Sequence, residues 1–442
     1  MKLRDRLEQG KSVVSDRPAA AGKVPEVYQE IKRNVHNQLI DDIELSKLDT
    51  LKPEALRAEL RNTIERLVAS SRWPLNRIER ERLVQEVLDE VTGLGPLEPL
   101  LADPSVSDIL VNNHKTVYVE KEGQLQRTPV NFRNDAHLMQ IINRIVSRVG
   151  RRVDESSPMV DARLADGSRV NAIIPPLALD GPVLSIRRFG VRPLSAGDLV
   201  ANHALTEDML DFLSASVRSK LNLLISGGTG TGKTTLLNAL SSFIPPGERV
   251  VTIEDAAELQ LQQPHVVRLE TRPANIEGKG AVRARELVVN SLRMRPDRIV
   301  VGEVRGAEVM DMLQAMNTGH EGSMTTVHAN SPRDALGRLL AMAGMFSANF
   351  SERLMNQTLA SALNLIVHLN RFSDGSRKLV SVSEIVGMEG DVITMQEIFI
   401  FKQRGVDSEG RVQGAFQPTG IRPRCMDKIQ RSGYVLKESF GR

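Results

Sequence analysis

The chain has 442 residues, 41% hydrophobic and 26% charged, enough apolar material for roughly two to three domains with sizeable cores. Its formal charge of +3 permits nucleic acid or an acidic membrane surface as partner but requires neither, and one Trp, three Tyr and 11 Phe are few for a motor that stacks bases on aromatic side chains. No apolar run approaches the roughly 18 residues of a spanning helix, the amino terminus lacks a signal-peptide core, and the single cysteine, Cys425, makes neither an internal disulfide nor a zinc site, so a cytosolic protein is expected.

Residues 1–25 are polar without an apolar period and read as a mobile tail. Val27, Ile31, Val35, Leu39 and Ile43 then recur in steps of four, Leu56, Leu60, Ile64 and Leu67 follow Pro53, and Leu83, Val87 and Val91 continue from a charged run. This spacing predicts a bundle of amphipathic helices over 26–100. Gly93, Gly95, Pro96 and Pro99 end the pattern. Over 101–190, β-like runs at 107–111, 116–121, 169–174 and 183–187 with a helix at 135–149 predict a small α+β domain. Residues 191–205 read as a surface linker. From 206 to 442 helix and strand alternate as in an α/β sheet, with strands expected at 221–226, 250–254, 266–270, 298–301, 323–327 and 365–369. Beyond about 404 the polar tail gives little signal.

The strongest signal in the third region is the run Gly227, Gly228, Thr229, Gly230, Thr231, Gly232, Lys233, Thr234, Thr235, which fits the phosphate-binding loop between a buried strand and a helix. The glycines allow backbone N–H groups to turn toward phosphate oxygens. Lys233 is expected to reach the β- and γ-phosphates of a nucleoside triphosphate, and the Thr234 hydroxyl to ligate Mg²⁺. Hydrolysis needs carboxylates at neighbouring strand ends. Thr252-Ile-Glu-Asp-Ala-Ala-Glu258 offers Glu254, Asp255 and Glu258 to orient and deprotonate water. Ile299-Val-Val-Gly-Glu303 reads as a Walker B strand with Glu303 holding Mg²⁺ through its waters. His320 and His328 bracket a short β-like run and are candidates to sense the γ-phosphate or a neighbouring subunit. Arg163 and Arg169, around an Asp-Gly turn, and Arg187 are candidates to bring positive charge to a nucleotide held by another domain. Solvated strand ends and hairpins are the ordinary alternative for each. No Asn-Lys-x-Asp sequence follows the loop to recognise guanine.

Taken in order, the loop, the acidic box, the Walker B strand and the histidine stretch 319–330 resemble the secretion ATPase superfamily of type II secretion, type IV pilus and type IV secretion motors. The stretches 272–280, 285–297 and 316–330 are similar to its CpaF/TadA branch, which powers assembly of Flp, or tight-adherence, pili. The resemblance covers about 94–401. It implies a RecA-like ATPase domain preceded by a small α+β (PAS-like) domain and a helical bundle, with ATP and Mg²⁺ as ligands. It also implies a homohexamer at the cytoplasmic face of the inner membrane, docked on polytopic platform proteins, acting on pilin indirectly and without inserting into the bilayer. Glu258 matches the family's catalytic glutamate, Glu303 its Walker B residue, His320 and His328 its histidine box, and Arg163, Arg169 and Arg187 its nucleotide-reaching arginines. Ala256 stands where other branches carry proline, and the zinc motif of the type II branch is missing. Retraction by the same ring, a type IV secretion traffic ATPase, a DNA translocase and a non-hydrolysing scaffold stay open as alternatives.

Overall fold

The computed structural model describes residues 26–42, 53–71, 73–121, 123–188, 194–272, 274, 279–346 and 351–436. The expected tail at 1–25, Ile43, most of 272–280 and the first part of the expected linker lie outside these residues. The chain divides into two compact units, the first of residues 1–121 and 125–188 and the second of residues 122–124 and 189–442.

The first unit begins with helices α1 (Glu26–Asp42), α2 (Pro53–Ser70) and α3 (Arg77–Thr92). Tyr28, Ile31, Val35 and Leu39 of α1 pack with Leu60, Ile64 and Val68 of α2 and with Leu83, Val84, Val87 and Leu88 of α3. The expected stripe is corrected at its start, where Tyr28 is buried and Val27 is exposed. With 3.6 residues per turn, steps of four drift, and Val27 falls roughly 120° from Leu39 while Tyr28 falls about 20° from it. Asn76 and Glu79 close a capping box that starts α3 and contributes about 1 kcal/mol.

After a short α4 (Glu98–Ala102) come β1 (Val106–Asn113), β2 (Thr116–Lys121), β3 (Gln124–Arg127), α5 (Asp135–Arg148), β4 (Met159–Arg163), β5 (Arg169–Ile173) and β6 (Val183–Arg187). The strands form a six-stranded sheet in the order β3-β2-β1-β6-β5-β4. Leu138, Ile141, Ile142, Ile145 and Val146 of α5 join its core.

In the second unit, α6 (Ala196–Ala201) and α7 (Glu207–Arg218) lead into β7 (Leu223–Gly227), α8 (Lys233–Ser241), β8 (Val250–Glu254), β9 (Val266–Glu270), α9 (Ala284–Ser291), β10 (Arg298–Val301), α10 (Glu308–Asn317), β11 (Met324–His328), α11 (Pro332–Phe346), α12 (Glu352–Ala362), β12 (Leu365–Arg371), β13 (Arg377–Glu389), β14 (Val392–Val406), β15 (Val412–Pro418) and α13 (Met426–Arg431). The nine strands run in the order β15-β14-β13-β12-β7-β11-β10-β8-β9. From β12 to β9 every pairing is parallel, and β12 to β15 continue as antiparallel neighbours. One strand, β11, separates β7 from β10, the RecA-like arrangement.

Two expectations change here. The segment read as a linker contains α6, started by a Ser195–Asp198 capping box, and Leu199 and Leu205 are buried in the core of this unit. The uninformative tail supplies β15 and α13, with Cys425, Met426 and Ile429 buried. Among the described residues no helix is long and apolar enough to cross a membrane.

Candidate active site

In a parallel sheet the carboxyl ends of the strands gather on one edge, and loops leaving them form the binding crevice. Strand β7 is buried at all five residues and is aligned on both sides, with Gly227 opposite His328 of β11 and opposite Leu369 of β12. A Cβ on Gly227 would lie 2.6 Å from the Leu369 carbonyl oxygen, so only glycine lets the chain turn into the loop between these neighbours. Gly232 has φ of 94° and precedes α8 without a side-chain cap. The amino-terminal N–H groups of α8 thus retain the geometry that favours an anion.

Lys233 lies across the loop, its Nζ donating to the carbonyls of Gly227 at 3.0 Å and Gly228 at 2.9 Å. Burial lowers its pKa, opposed by the charge of Glu303 and assisted by that of Arg305. Those two groups are therefore close enough to Lys233 to be felt electrostatically. Thr234 and Thr235 open α8 beside it.

At the carboxyl end of β8, Glu254, a candidate to act on water, turns its side chain inward and is 5% exposed. Its Oε2 accepts the backbone N–H groups of Glu258 at 2.7 Å and Leu259 at 2.8 Å, while Oε1 is buried without a hydrogen-bond partner. Burial raises its pKa against the pull of these two hydrogen bonds. Gly302 admits this side chain, since a Cβ there would lie 3.0 Å from Glu254 Cγ. The same loop is tied to α8, where Asn238 Oδ1 accepts the N–H of Gln260 at 2.9 Å. Glu254 thus holds the loop that presents the partly buried Glu258.

Glu303 follows β10, and its Oε2 pairs with Arg305 Nη2 at 2.6 Å. Arg305 also reaches Asp255 at 3.4 Å. Its pKa is raised by Glu303, Asp255 and Glu258 in spite of burial. Both acidic segments therefore converge on one guanidinium group. Among the described residues no cluster of three or more His, Cys, Asp or Glu could hold a metal. Glu303 and Thr234 make a sparse, all-oxygen donor set, which suits Mg²⁺ carried largely by phosphate oxygens and water.

The two histidines separate. His328 ends β11 beside the loop. His320 precedes β11, with Nδ1 3.1 Å from the Pro296 carbonyl, at the amino-terminal edge of the sheet and roughly 13 Å of strand away. Within its own chain it does not join the phosphate loop. A histidine not singled out by the sequence does: buried His368 of β12 has Nδ1 2.9 Å from Ser226 Oγ. Its pKa is lowered by burial, with Asn330 and Asp334 raising it and Lys233 lowering it.

In the first unit Arg163, Arg169 and Arg187 occupy one cross-strand row, Arg163 opposite Arg169 and Arg169 opposite Arg187. Asp108 continues the row on β1 and pairs with Arg187 at 3.1 Å.

The sequence profile described as Type II/IV secretion system protein matches residues 90–417, and that of the Type II secretion system protein E N-terminal domain matches 28–92. Both matches extend past the limits of the motif resemblance. A putative conjugal transfer protein of Mycobacterium tuberculosis is 40% identical over 309 residues, covering 69% of this chain and 87% of the relative. The conjugal transfer protein TrbB of Rhizobium radiobacter is 33% identical over 314 residues, covering 70% and 91%. Among solved structures, the VirB11 ATPase of the Brucella suis type IV secretion system is 27% identical with a TM-score of 0.36, covering 65% of this chain and 95% of that one.

Proposed function

Since the chain belongs to the type II/IV secretion system protein family, we propose that it is a hexameric ATPase whose hydrolysis cycle powers assembly of a Flp, or tight-adherence, pilus. The observation that carries hydrolysis is the gathering of the phosphate loop, the Glu258 loop and Glu303 at one edge of a parallel sheet, tied together by Arg305, Glu254 and Asn238.

In this reading the backbone N–H groups of 227–235 bind the phosphate chain of ATP and Lys233 moves from the loop carbonyls to the β- and γ-phosphates. Thr234 and Glu303 hold Mg²⁺, which when bound neutralises charge on the transferred phosphoryl group. Glu258 takes the proton from the attacking water, Glu254 fixes the loop that carries Glu258, and His328 stands near the terminal phosphate. His320 is left to a role outside the phosphate site of its own chain. Arg163 and Arg169, with Arg187 beside them, clamp the phosphates of the same or a neighbouring subunit, which couples hydrolysis to domain motion. The ring works at the cytoplasmic face of the inner membrane against polytopic platform proteins.

The pilus part rests on the stretches 272–280, 285–297 and 316–330. The relatives named for conjugal transfer favour a second reading, a traffic ATPase of a type IV secretion system. Deletion of the gene, complemented by the parent and by Lys233→Ala, separates them: loss of surface pili with intact transfer of protein and DNA supports the first, and the converse supports the second.

A further inference from the structure

Strands β12 and β13 form a hairpin whose two arginines belong to no motif described above. Arg371, the last residue of β12, and Arg377, the first of β13, are cross-strand partners, which puts their Cα atoms about 5 Å apart. Because Leu369 is aligned with Gly227, the next residues of β12 run on alongside the phosphate loop. Arg377 Nε donates to the Gly230 carbonyl at 2.8 Å. Arg371 Nη1 lies 3.3 Å from the position a Cβ on Gly230 would take, and Arg377 Cδ lies 3.5 Å from that on Gly232. Both guanidinium groups therefore flank the crest of the loop. They do so from the β12 side of β7, whereas Glu303 and Arg305 follow β10, on the β11 side.

The hairpin is built to hold them there. Phe372 N–H donates to Ser376 O at 2.8 Å, Asp374 Oδ2 accepts the N–H of Val412 at 2.8 Å, and Phe372 packs edge-on against Phe401 with ring centroids 5.6 Å apart. Arg371 Nη2 also donates to the Gly123 carbonyl at 2.7 Å, which fixes its guanidinium beside the loop. Two such cations on a pinned turn, beside a loop shaped for phosphate, are preorganised for a polyanion, and the forked guanidinium suits phosphate oxygens.

We infer that Arg371 and Arg377 contact the phosphate chain of a nucleoside di- or triphosphate held by the same chain, so that the β12–β13 hairpin is a wall of the nucleotide site. This rests on the reading of 227–235 as a nucleotide site. The hairpin supplies charge within one chain, independently of the arginine row of the first unit, and it governs nucleotide affinity as well as turnover.

The test is equilibrium binding of AMP, ADP and ATP with Mg²⁺ to the full chain, its Arg371→Gln, Arg377→Gln and Arg377→Lys variants, and Lys233→Ala. Each glutamine variant is expected to weaken ADP and ATP on the order of 10-fold, to change AMP less, and Arg377→Lys to recover part of the loss. ATP binding within twofold of the parent in both glutamine variants, while Lys233→Ala abolishes it, overturns the inference and leaves the nucleotide site standing. An equal loss for all three nucleotides also overturns it, since that marks a damaged loop. Absence of nucleotide binding by the parent refutes the underlying reading instead. If Arg377→Gln lowers the thermal midpoint, Arg371→Gln decides alone.

Discussion

Replacing Glu254 by alanine removes the acceptor of two backbone N–H groups, those of Glu258 and Leu259. A buried donor left without a partner costs about 1–3 kcal/mol. Two such losses, reduced because burial of the carboxylate is also relieved, give roughly 2–4 kcal/mol of destabilisation centred on the loop that bears Glu258. A displacement near 1 Å of a catalytic group lowers turnover by about 10², so Glu254→Ala should lose turnover on that order and unfold at a lower temperature. Glu254→Gln keeps one carbonyl oxygen for both donors and should stay within about threefold of the parent rate. The pH dependence supplies a second reading of the same residue. The folded-state pKa is raised by burial, so the folded protein holds the proton more tightly than the unfolded chain. Stability from this group therefore falls as pH rises from the ordinary glutamate value through the raised one, and Glu254→Gln removes that slope. The assay is steady-state phosphate release beside thermal unfolding across pH. If Glu254→Gln is as inactive as Glu254→Ala while remaining as stable as the parent, the side chain acts by its charge or as a base, and the positioning argument is refuted.

Arg163→Ala or Arg169→Ala should lower turnover by about 10 to 10³ with the assembly state of the parent unchanged; mixing either with Lys233→Ala protein restores activity only if arginines act across a subunit boundary, and normal turnover in both variants removes the clamp. Glu303→Gln should shift the magnesium requirement for turnover to higher concentration, and an unchanged magnesium titration counts against its role. Glu90 is buried and accepts from His137 at 2.9 Å with Lys32 at 3.3 Å; burial alone would raise its pKa, but these partners bring it down to about 2. Its contribution, on the order of 3 kcal/mol, is present above the ordinary glutamate range and lost as pH falls toward about 2, so Glu90→Gln should flatten the acid limb of the stability curve; a parental acid limb refutes this.

What was legible in the sequence is what is local. The phosphate loop, the acidic box and the Walker B strand are contiguous runs, and their strands and helices follow from apolar spacing. The Ser195–Asp198 capping box went unread, although a Ser with an acidic residue three positions later opens helices, because the apolar residues around it read as surface. His320 and His328 look equivalent as flanks of one strand, but in a parallel sheet only the carboxyl end faces the crevice. His368, Arg371 and Arg377 were beyond reach for a different reason. Their place beside the loop depends on β12 pairing with β7, and His368 meets Ser226 across 142 residues of chain. That Arg305 gathers Glu303 and Asp255 is likewise a tertiary fact.

Hydrolysis of ATP at this loop, with Glu258 as the base, is the central proposal. The direct measurement is phosphate release from Mg²⁺–ATP by the purified protein, with ATP affinity measured on the same samples, for the parent, Lys233→Ala and Glu258→Gln. The parent should turn over ATP, Lys233→Ala should lose binding or turnover, and Glu258→Gln should keep parental affinity with turnover lower by about 10² or more. Parental turnover in Glu258→Gln, or turnover within about twofold of the parent in Lys233→Ala, would contradict it.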